Sequence, residues 1–215
     1  MKLAAARLAF AFACLLLACD LVMALEEPRF ESLESEGALE LRRYAPYIVA
    51  ETVVATDFAA AGNEGFRRLA GYIFGGNRSR TKIAMTAPVA QSAQGEKIAM
   101  TAPVAQRAAA QGYVVSFTMP AQYTLESLPE PEDPRVVLRQ VPGFCAAVLR
   151  YSGSWSESRY EARLGELRQW IGKRGLVPAG EAVLARYDPP WMLWPLRRNE
   201  VLVPVECPGK SSAKP

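Results

Sequence analysis

The sequence contains no histidine among its 215 residues, and its four cysteines show no CxxC spacing. Histidine is the usual general base and the commonest metal ligand, so its absence argues against a Ser-His-Asp triad and against most zinc sites. A phosphate-binding glycine loop is also missing, because no Lys followed by Ser or Thr comes after Gly75-Gly76. The sequence therefore predicts a binding protein rather than an enzyme, with no metal site of its own.

The chain also lacks a strong excess of charge of one sign. Its 25 basic and 22 acidic residues leave a net charge of +3, without the clustered basic face that nucleic-acid binding requires. Half of the residues are apolar, which is enough for one domain with a sizeable core. We expect one folded domain over residues 25–208, a flexible tail at 209–215, and a monomer.

Residues 1–24 have the pattern of an export signal. Lys2 and Arg7 precede an apolar run at residues 8–18 that is too short to span a bilayer. Two maturation routes stay open: cleavage after Ala24, or lipidation of Cys19 at the end of the lipobox-like sequence LLAC. Both routes predict an exported, periplasmic protein, either soluble or anchored to the membrane through a lipid on Cys19.

Cys145 and Cys207 are the two cysteines that remain to pair with each other after either route. An oxidising compartment permits a disulfide between them. Cys145 also lies in an apolar strand pattern, where a buried free thiol is equally ordinary. The sequence leaves the disulfide and the free thiols as alternatives.

The order of predicted elements repeats itself in the two halves of the chain. Alternating runs predict strands, and apolar residues at i, i+3, i+4 and i+7 predict helices. The first half contains strands 39–44 and 47–54, a helix capped by Asn63 that ends at Gly75, and strand-like segments 82–89, 97–104 and 113–119. After a proline-rich loop at 125–134, the second half contains strands 136–141 and 144–151, a helix at 156–173, and strands 181–187 and 199–206.

Residue spacing indicates the same duplication. Both halves carry one pattern with equal spacing: Leu41-Arg42, Tyr47 and Ala50 in the first, and Leu138-Arg139, Phe144 and Ala147 in the second. We therefore predict an α+β fold, a distorted antiparallel β-barrel with two flanking helices and a pseudo-twofold repeat of a ββαββ unit. Within it, strands 136–141 and 144–151 are expected to form a pair around Pro142-Gly143.

The ten-residue segment KIAMTAPVAQ occurs twice, at residues 82–91 and 97–106. Its alternation of residue types is typical of a strand. Either the copies pair as a hairpin through the turn at 92–96, or one copy makes a core strand and the other forms a looser extension. We favour the second alternative.

Several segments carry a resemblance to a known family. They are YIFGGN at 72–77, the KIAMTAPV motif, VSFTMP at 115–120, YDPPW at 187–191 and RRNEV at 197–201. Together they resemble the SOUL haem-binding protein family, over nearly all of the chain from residue 27 to residue 206. The resemblance implies a distorted β-barrel with two helices and pseudo-twofold symmetry, and binding of haem or a related tetrapyrrole in an apolar groove.

A tetrapyrrole site needs a flat apolar slot and cations for the carboxylates. The predicted slot is the proline-bounded run with Trp191, Met192 and Trp194, because exposed apolar patches usually contact something. Arg197 and Arg198 follow it and are predicted to meet carboxylates as charge-assisted pairs. Alternatively, these two arginines pair with acids at the rim of the barrel.

The first helix offers a second candidate wall, formed by Arg67, Arg68 and Tyr72 on its predicted exposed side. An ordinary solvated helix face is the alternative. Without histidine the usual iron ligand is missing, and Met85 and Met100 lie in strand patterns that favour core packing. We therefore predict that haem or porphyrin binds through its face and edges, without a strong axial ligand.

Two further functions stay open beside carriage or buffering of a tetrapyrrole outside the cytoplasm. The fold is similar to the ligand-binding domains of gyrase-inhibitor-like and multidrug-sensing regulators, which suggests another flat amphipathic small molecule. A groove of this kind also suits a peptide of a partner protein.

Overall fold

The structure is a computed structural model that describes residues 25–79 and 95–209. The predicted export signal with Cys19 lies outside these residues. So do the predicted strand 82–89 with Met85, the first copy of the repeated segment, and residues 210–215 of the predicted tail.

The described residues form one curled antiparallel sheet, a two-stranded ribbon and two helices. The strands of the first half are β1 (Phe30–Glu36), β2 (Leu39–Tyr44), β3 (Tyr47–Val54), β4 (Asn77–Arg78), β5 (Val104–Ala109) and β6 (Gly112–Thr118). Those of the second half are β7 (Glu130–Pro131), β8 (Val137–Val141), β9 (Phe144–Ser152), β10 (Val183–Arg186) and β11 (Arg198–Val205). The helices are α1 (Phe58–Ile73) and α2 (Glu157–Lys173), with a 3-10 turn at Trp194–Leu196.

The strand order of the large sheet is symmetric about its centre. The order is β1-β2-β9-β11-β10-β5-β6-β3-β8, and apart from β1 it maps onto itself when the two halves are exchanged. Leu41 pairs with Ala147, and the matching Leu138 pairs with Ala50. The pseudo-twofold axis passes through the pair Leu184–Gln106, where β10 meets β5. The predicted α+β fold with a repeated ββαββ unit is confirmed.

One predicted pairing is wrong. Strands β8 and β9 flank Pro142-Gly143 but are not neighbours in the sheet, because β8 pairs with β3 while β9 pairs with β2 and β11. Each half therefore lends a strand to the other half. This exchange is favourable because it joins the two halves into one continuous sheet with fewer unpaired strand edges.

The first helix begins earlier than the sequence predicts. Its N-cap is Asp57, whose side chain accepts a hydrogen bond from Ala60 N at 2.8 Å, and Asn63 lies inside the helix. The first two turns of α1 consist mostly of small residues and carry no apolar stripe, so the sequence pattern did not indicate where the helix begins. In α2 the N-cap is Ser156, the residue at which the predicted helix begins, and the helix buries Leu164.

The second copy of the repeated segment is mostly irregular. Ile98 N donates to Ile73 O and Ala102 N donates to Glu26 O, both at 2.9 Å, and regular pairing starts at Val104. The predicted strand 97–104 is thus an extended segment that packs across the end of α1 before it enters β5. Strand β1, by contrast, was not predicted, because its sequence FESLESE is largely charged and polar.

Each helix covers one half of the sheet and forms its own core. Helix α1 packs on β3 and β6, and α2 packs on β9 and β11. Cys145, buried in β9, is joined to Cys207 by a disulfide, which is the first of the two alternatives above. Within the described residues, no helix is both long and apolar enough to cross a membrane.

Candidate functional site

An open groove lies between the first turns of α1 and the loop that follows β10. Its volume is about 350 Å³, within the range of small-molecule sites. Large apolar side chains face it from four separate segments: Phe66, Met100, Trp155 and Trp191. We call this cavity the helix–loop groove.

Arg186, the last residue of β10, brings a positive charge to the wall of the helix–loop groove. Its Nη2 donates a hydrogen bond to the side-chain oxygen of Gln106, and its Nε is buried without a hydrogen-bond partner. Burial lowers the pKa of Arg186 to about 10, and no carboxylate in the described part of the chain forms an ion pair with it. An anionic group in the groove would supply the missing partner.

The position of the Arg186 guanidinium is set by its neighbours. A Cβ on Gly62 would lie 2.3 Å from Nη2, so glycine leaves the space that the guanidinium occupies. Gln106 Nε2 donates to Phe58 O at 2.8 Å, which turns the side-chain oxygen towards Arg186. The ring of Trp155 lies 5.4 Å from the guanidinium carbon. These contacts hold the guanidinium at the groove before any ligand binds.

Arg197 holds residues 191–196, which we call the tryptophan loop, through hydrogen bonds to backbone carbonyls. The Arg197 side chain donates from Nε to Met192 O at 2.8 Å and from Nη2 to Pro190 O. Its guanidinium carbon also lies 4.4 Å from the ring centroid of Trp155. Arg197 therefore holds the loop, while Met192 and Trp194 are not among the residues that line the groove.

Arg198 is bound within the protein. It donates to both carboxylate oxygens of Glu27, and its guanidinium carbon lies 3.6 Å from the ring centroid of Tyr187. Its backbone N–H donates to Asp188, the one acidic residue among those that line the helix–loop groove. Arg198 thus pairs with an acid, as in the alternative given above, whereas Arg197 donates to backbone carbonyls and pairs with no acid within the described residues.

The second candidate wall belongs to a different cavity. Arg67, Arg68 and Tyr72 line a shallow cavity of about 530 Å³ on the other side of α1. Arg68 is paired with Glu64 at 2.7 Å, and Arg67 is exposed. Tyr72 was predicted to be exposed but is buried, because α1 packs this face under the 125–134 loop, where the hydroxyl donates to Pro129 O at 2.9 Å.

A third cavity, of about 470 Å³, lies on the sheet face that the helices leave uncovered. Its two arginines, Arg107 and Arg139, lie 3.7 and 2.9 Å from the carboxylate of Glu51. Their charges are therefore compensated. Among these three cavities in the described residues, the helix–loop groove has the buried cation without a carboxylate.

A buried ion pair that the sequence analysis missed lies against Tyr187, which lines the groove. Arg42 donates to both oxygens of Glu200, at 2.9 and 3.1 Å, and the Tyr187 hydroxyl donates to Glu200 at 2.6 Å. Burial raises the pKa of Tyr187 above its usual value, so this phenol stays neutral. Glu40, Arg42 and Tyr44 alternate on one strand face, which was the available signal.

Few side chains in the described residues are candidates for an axial ligand to haem iron. The sulfurs of Cys145 and Cys207 are joined to each other, and the Tyr187 hydroxyl is engaged with Glu200. Met100, predicted to pack in the core, is half-buried; it packs against the core on the α1 side and also lines the groove. The described residues contain no cluster of three or more acidic, cysteine or histidine side chains suited to a metal ion.

Arg186 and Gly62 are further site residues that the sequence analysis missed. In strand β10 an arginine follows the buried Leu184 by two residues, and alternation places both on one face. A glycine within a helix costs about 1 kcal/mol relative to alanine, so Gly62 inside α1 indicated a close approach. Neither sequence pattern indicates a ligand by itself, because only the fold brings Arg186 and Gly62 together.

The described residues form an α+β fold with an open groove that is lined largely by apolar side chains. The family model described as SOUL heme-binding protein matches residues 25–204. This match covers most of the chain, and the protein belongs to the SOUL family of haem-binding proteins. No curated protein matches the sequence.

Solved structures share the fold at low sequence identity. The crystal structure of the EcmrR C-terminal domain is 13% identical with a TM-score of 0.53, over 82% of this chain and 98% of that chain. The crystal structure of a hydrolase from Listeria innocua is 13% identical with a TM-score of 0.52, over 81% of this chain and 94% of that chain. At such identities the likeness shows the fold alone.

Proposed function

We propose that the protein binds haem or a related tetrapyrrole in the helix–loop groove and carries or buffers it outside the cytoplasm, without catalysis. The observation that carries this proposal is Arg186, a buried cation without a carboxylate partner at the wall of an apolar groove. A tetrapyrrole of the haem type combines a flat apolar ring with carboxylates on one edge. Membership of the SOUL family supports the same class of ligand.

The walls of the groove suit a flat ring. Phe66 is partly exposed on α1, and Trp191 is 82% exposed at the opposite edge. Burial of these rings against a ligand removes apolar area from water, and this is the main favourable term for a ligand of this kind. Arg186 would receive a carboxylate, with Gln106 and Trp155 holding the guanidinium in place.

The ligand in this proposal has no strong axial bond to the protein. Met100 is the thioether that lines the groove, and thioethers are weak ligands compared with imidazole or thiolate. Titration of the protein with haemin and with metal-free protoporphyrin tests this point. We expect the two affinities to agree within about threefold, since ring burial and the carboxylate contact are common to both.

Two outcomes of the titration contradict the proposal. A sharp Soret shift with haemin that disappears in Met100→Leu would show an axial bond. Saturation with neither ligand, in protein whose circular dichroism shows it to be folded, would rule out tetrapyrrole binding.

Location outside the cytoplasm is supported by the predicted export signal and by the Cys145–Cys207 disulfide, a bond typical of oxidising compartments. Cell fractionation and mass spectrometry of the mature N-terminus test this part. Protein recovered with an intact leader from the cytoplasm would contradict it.

A further inference from the structure

The tryptophan loop forms an apolar surface at the mouth of the helix–loop groove. Trp191 and Trp194 are 82% and 59% exposed, and Leu193 and Leu196 are exposed beside them. Leu25, also exposed, lines the groove together with Trp191. Exposed apolar residues concentrated in this way mark a contact surface, whereas single ones do not.

The exposure of these side chains is maintained by the structure behind them. Arg197 ties the carbonyls of Pro190 and Met192 together and stacks on Trp155. The 3-10 turn Trp194–Leu196 adds a second constraint, because Pro195 fixes its backbone. A loop held open in this way loses little conformational freedom when it binds.

The position of Leu25 indicates which kind of partner this apolar surface contacts. The apolar run 8–18 and Cys19 precede Leu25 directly in the sequence, and six residues span at most about 20 Å. If the leader or a lipid on Cys19 enters a bilayer, the bilayer surface lies within this reach of the groove mouth. Trp and Leu side chains are those that partition into the boundary between lipid headgroups and acyl chains.

We propose that the tryptophan loop docks on the surface of a lipid bilayer, so that the mouth of the helix–loop groove faces the lipid. The loop sequence WMLWPL has no charged residue, which suits an uncharged acyl boundary. This surface goes beyond tetrapyrrole binding and stands independently of it, because Trp194 and Leu196 do not line the groove.

The test is quenching of tryptophan fluorescence in the full-length protein by vesicles of phosphatidylethanolamine and phosphatidylglycerol with brominated acyl chains. Bromine quenches indoles that touch the acyl region, whether or not the N-terminus is lipidated. We expect clear quenching of the wild type, and loss of most of it in Trp194→Ser combined with Leu196→Ser. The matched control is Phe74→Ser, since Phe74 is also 59% exposed but lies at the end of α1.

Three results would overturn the docking. The first is unquenched fluorescence in the wild type. The second is equal loss of quenching in the Phe74→Ser control. The third is a loop that is protected from hydrogen exchange without vesicles in a dimer, which would show that a second copy covers it. Haemin titration of the same variants separates the two proposals, because Trp194→Ser with Leu196→Ser leaves the groove walls in place.

Discussion

The Arg186 guanidinium donates a hydrogen bond to the side-chain oxygen of Gln106, in a position where a buried arginine would ordinarily meet a carboxylate. Arg42 shows the ordinary case, since it is buried against both oxygens of Glu200. The difference between these two arginines is the basis for the proposed ligand contact at Arg186.

The two arginines should respond oppositely to the same substitution. Arg42→Met leaves Glu200 buried without its main partner and should lower the free energy of unfolding by about 3 kcal/mol. Arg186→Met removes an uncompensated buried charge and should raise the free energy of unfolding by about 1 kcal/mol. Urea unfolding of the ligand-free variants measures both. A large loss of stability in Arg186→Met would show that its charge is compensated.

Gly62→Ala should separate stability from binding. The added methyl group would meet Nη2 of Arg186, a flexible side-chain end that can move aside, so the cost to folding is small. Helix propensity favours alanine by about 1 kcal/mol, and the variant should be at least as stable as the wild type. Displacement of the guanidinium should nevertheless weaken protoporphyrin binding by about tenfold.

The matched control for this variant is Gly71→Ala. It lies in the same helix, and a Cβ there meets nothing within 4 Å. It should gain similar stability and bind protoporphyrin like the wild type. If Gly62→Ala and Gly71→Ala bind protoporphyrin with equal affinity, the position of the Arg186 guanidinium does not contribute to binding.

Much of the fold could be predicted from local patterns. The bounds of β2 and β3 agree with the predicted strands 39–44 and 47–54, and α2 lies within the predicted helix 156–173. The partners of these strands could not be predicted. Alternation places a side chain on a face but does not say which strand lies beside it. Strand β8 pairs with β3 of the other half, and β9 pairs with β2 of the other half as well as with β11.

The candidate site was predicted in part. Trp191 lies at the groove as the sequence suggested, whereas Arg197 and Arg198 make internal contacts. The sequence is compatible with either outcome, and for Arg198 the partner is Glu27, 171 residues away in the sequence. Arg186 could not be recognised as a site residue because its significance is the lack of a carboxylate, which is a property of the folded neighbourhood.

The free energy of unfolding should fall in alkaline solution because buried tyrosines ionise less readily in the folded protein than in the unfolded chain. Burial raises the pKa of Tyr151 to about 12, and its hydroxyl has no hydrogen-bond partner. Because an unfolded tyrosine has a pKa of about 10, the unfolded chain loses its proton first as the pH rises. The contribution of Tyr151 to stability is therefore complete below about pH 10 and is lost between about pH 10 and 12.

Tyr151→Phe should reduce this pH dependence, and at pH 7 it should raise the free energy of unfolding by about 1 kcal/mol, since an unsatisfied hydroxyl is removed. Tyr187→Phe is the control, because its hydroxyl donates to Glu200 and its loss should be destabilising at pH 7. Urea unfolding at neutral and alkaline pH gives both values. Equal pH dependence in wild type and Tyr151→Phe would contradict the assignment.

In the proposed complex, Arg186 receives a carboxylate of a tetrapyrrole in the helix–loop groove. The most direct measurement compares the affinities of protoporphyrin and its dimethyl ester for the wild type, for Arg186→Met and for Arg67→Met, whose arginine lies in another cavity. We expect the wild type and Arg67→Met to prefer the free acid by about tenfold, the effect of one charge-assisted contact. We expect Arg186→Met to bind acid and ester equally. An undiminished preference for the acid in Arg186→Met would contradict the claim.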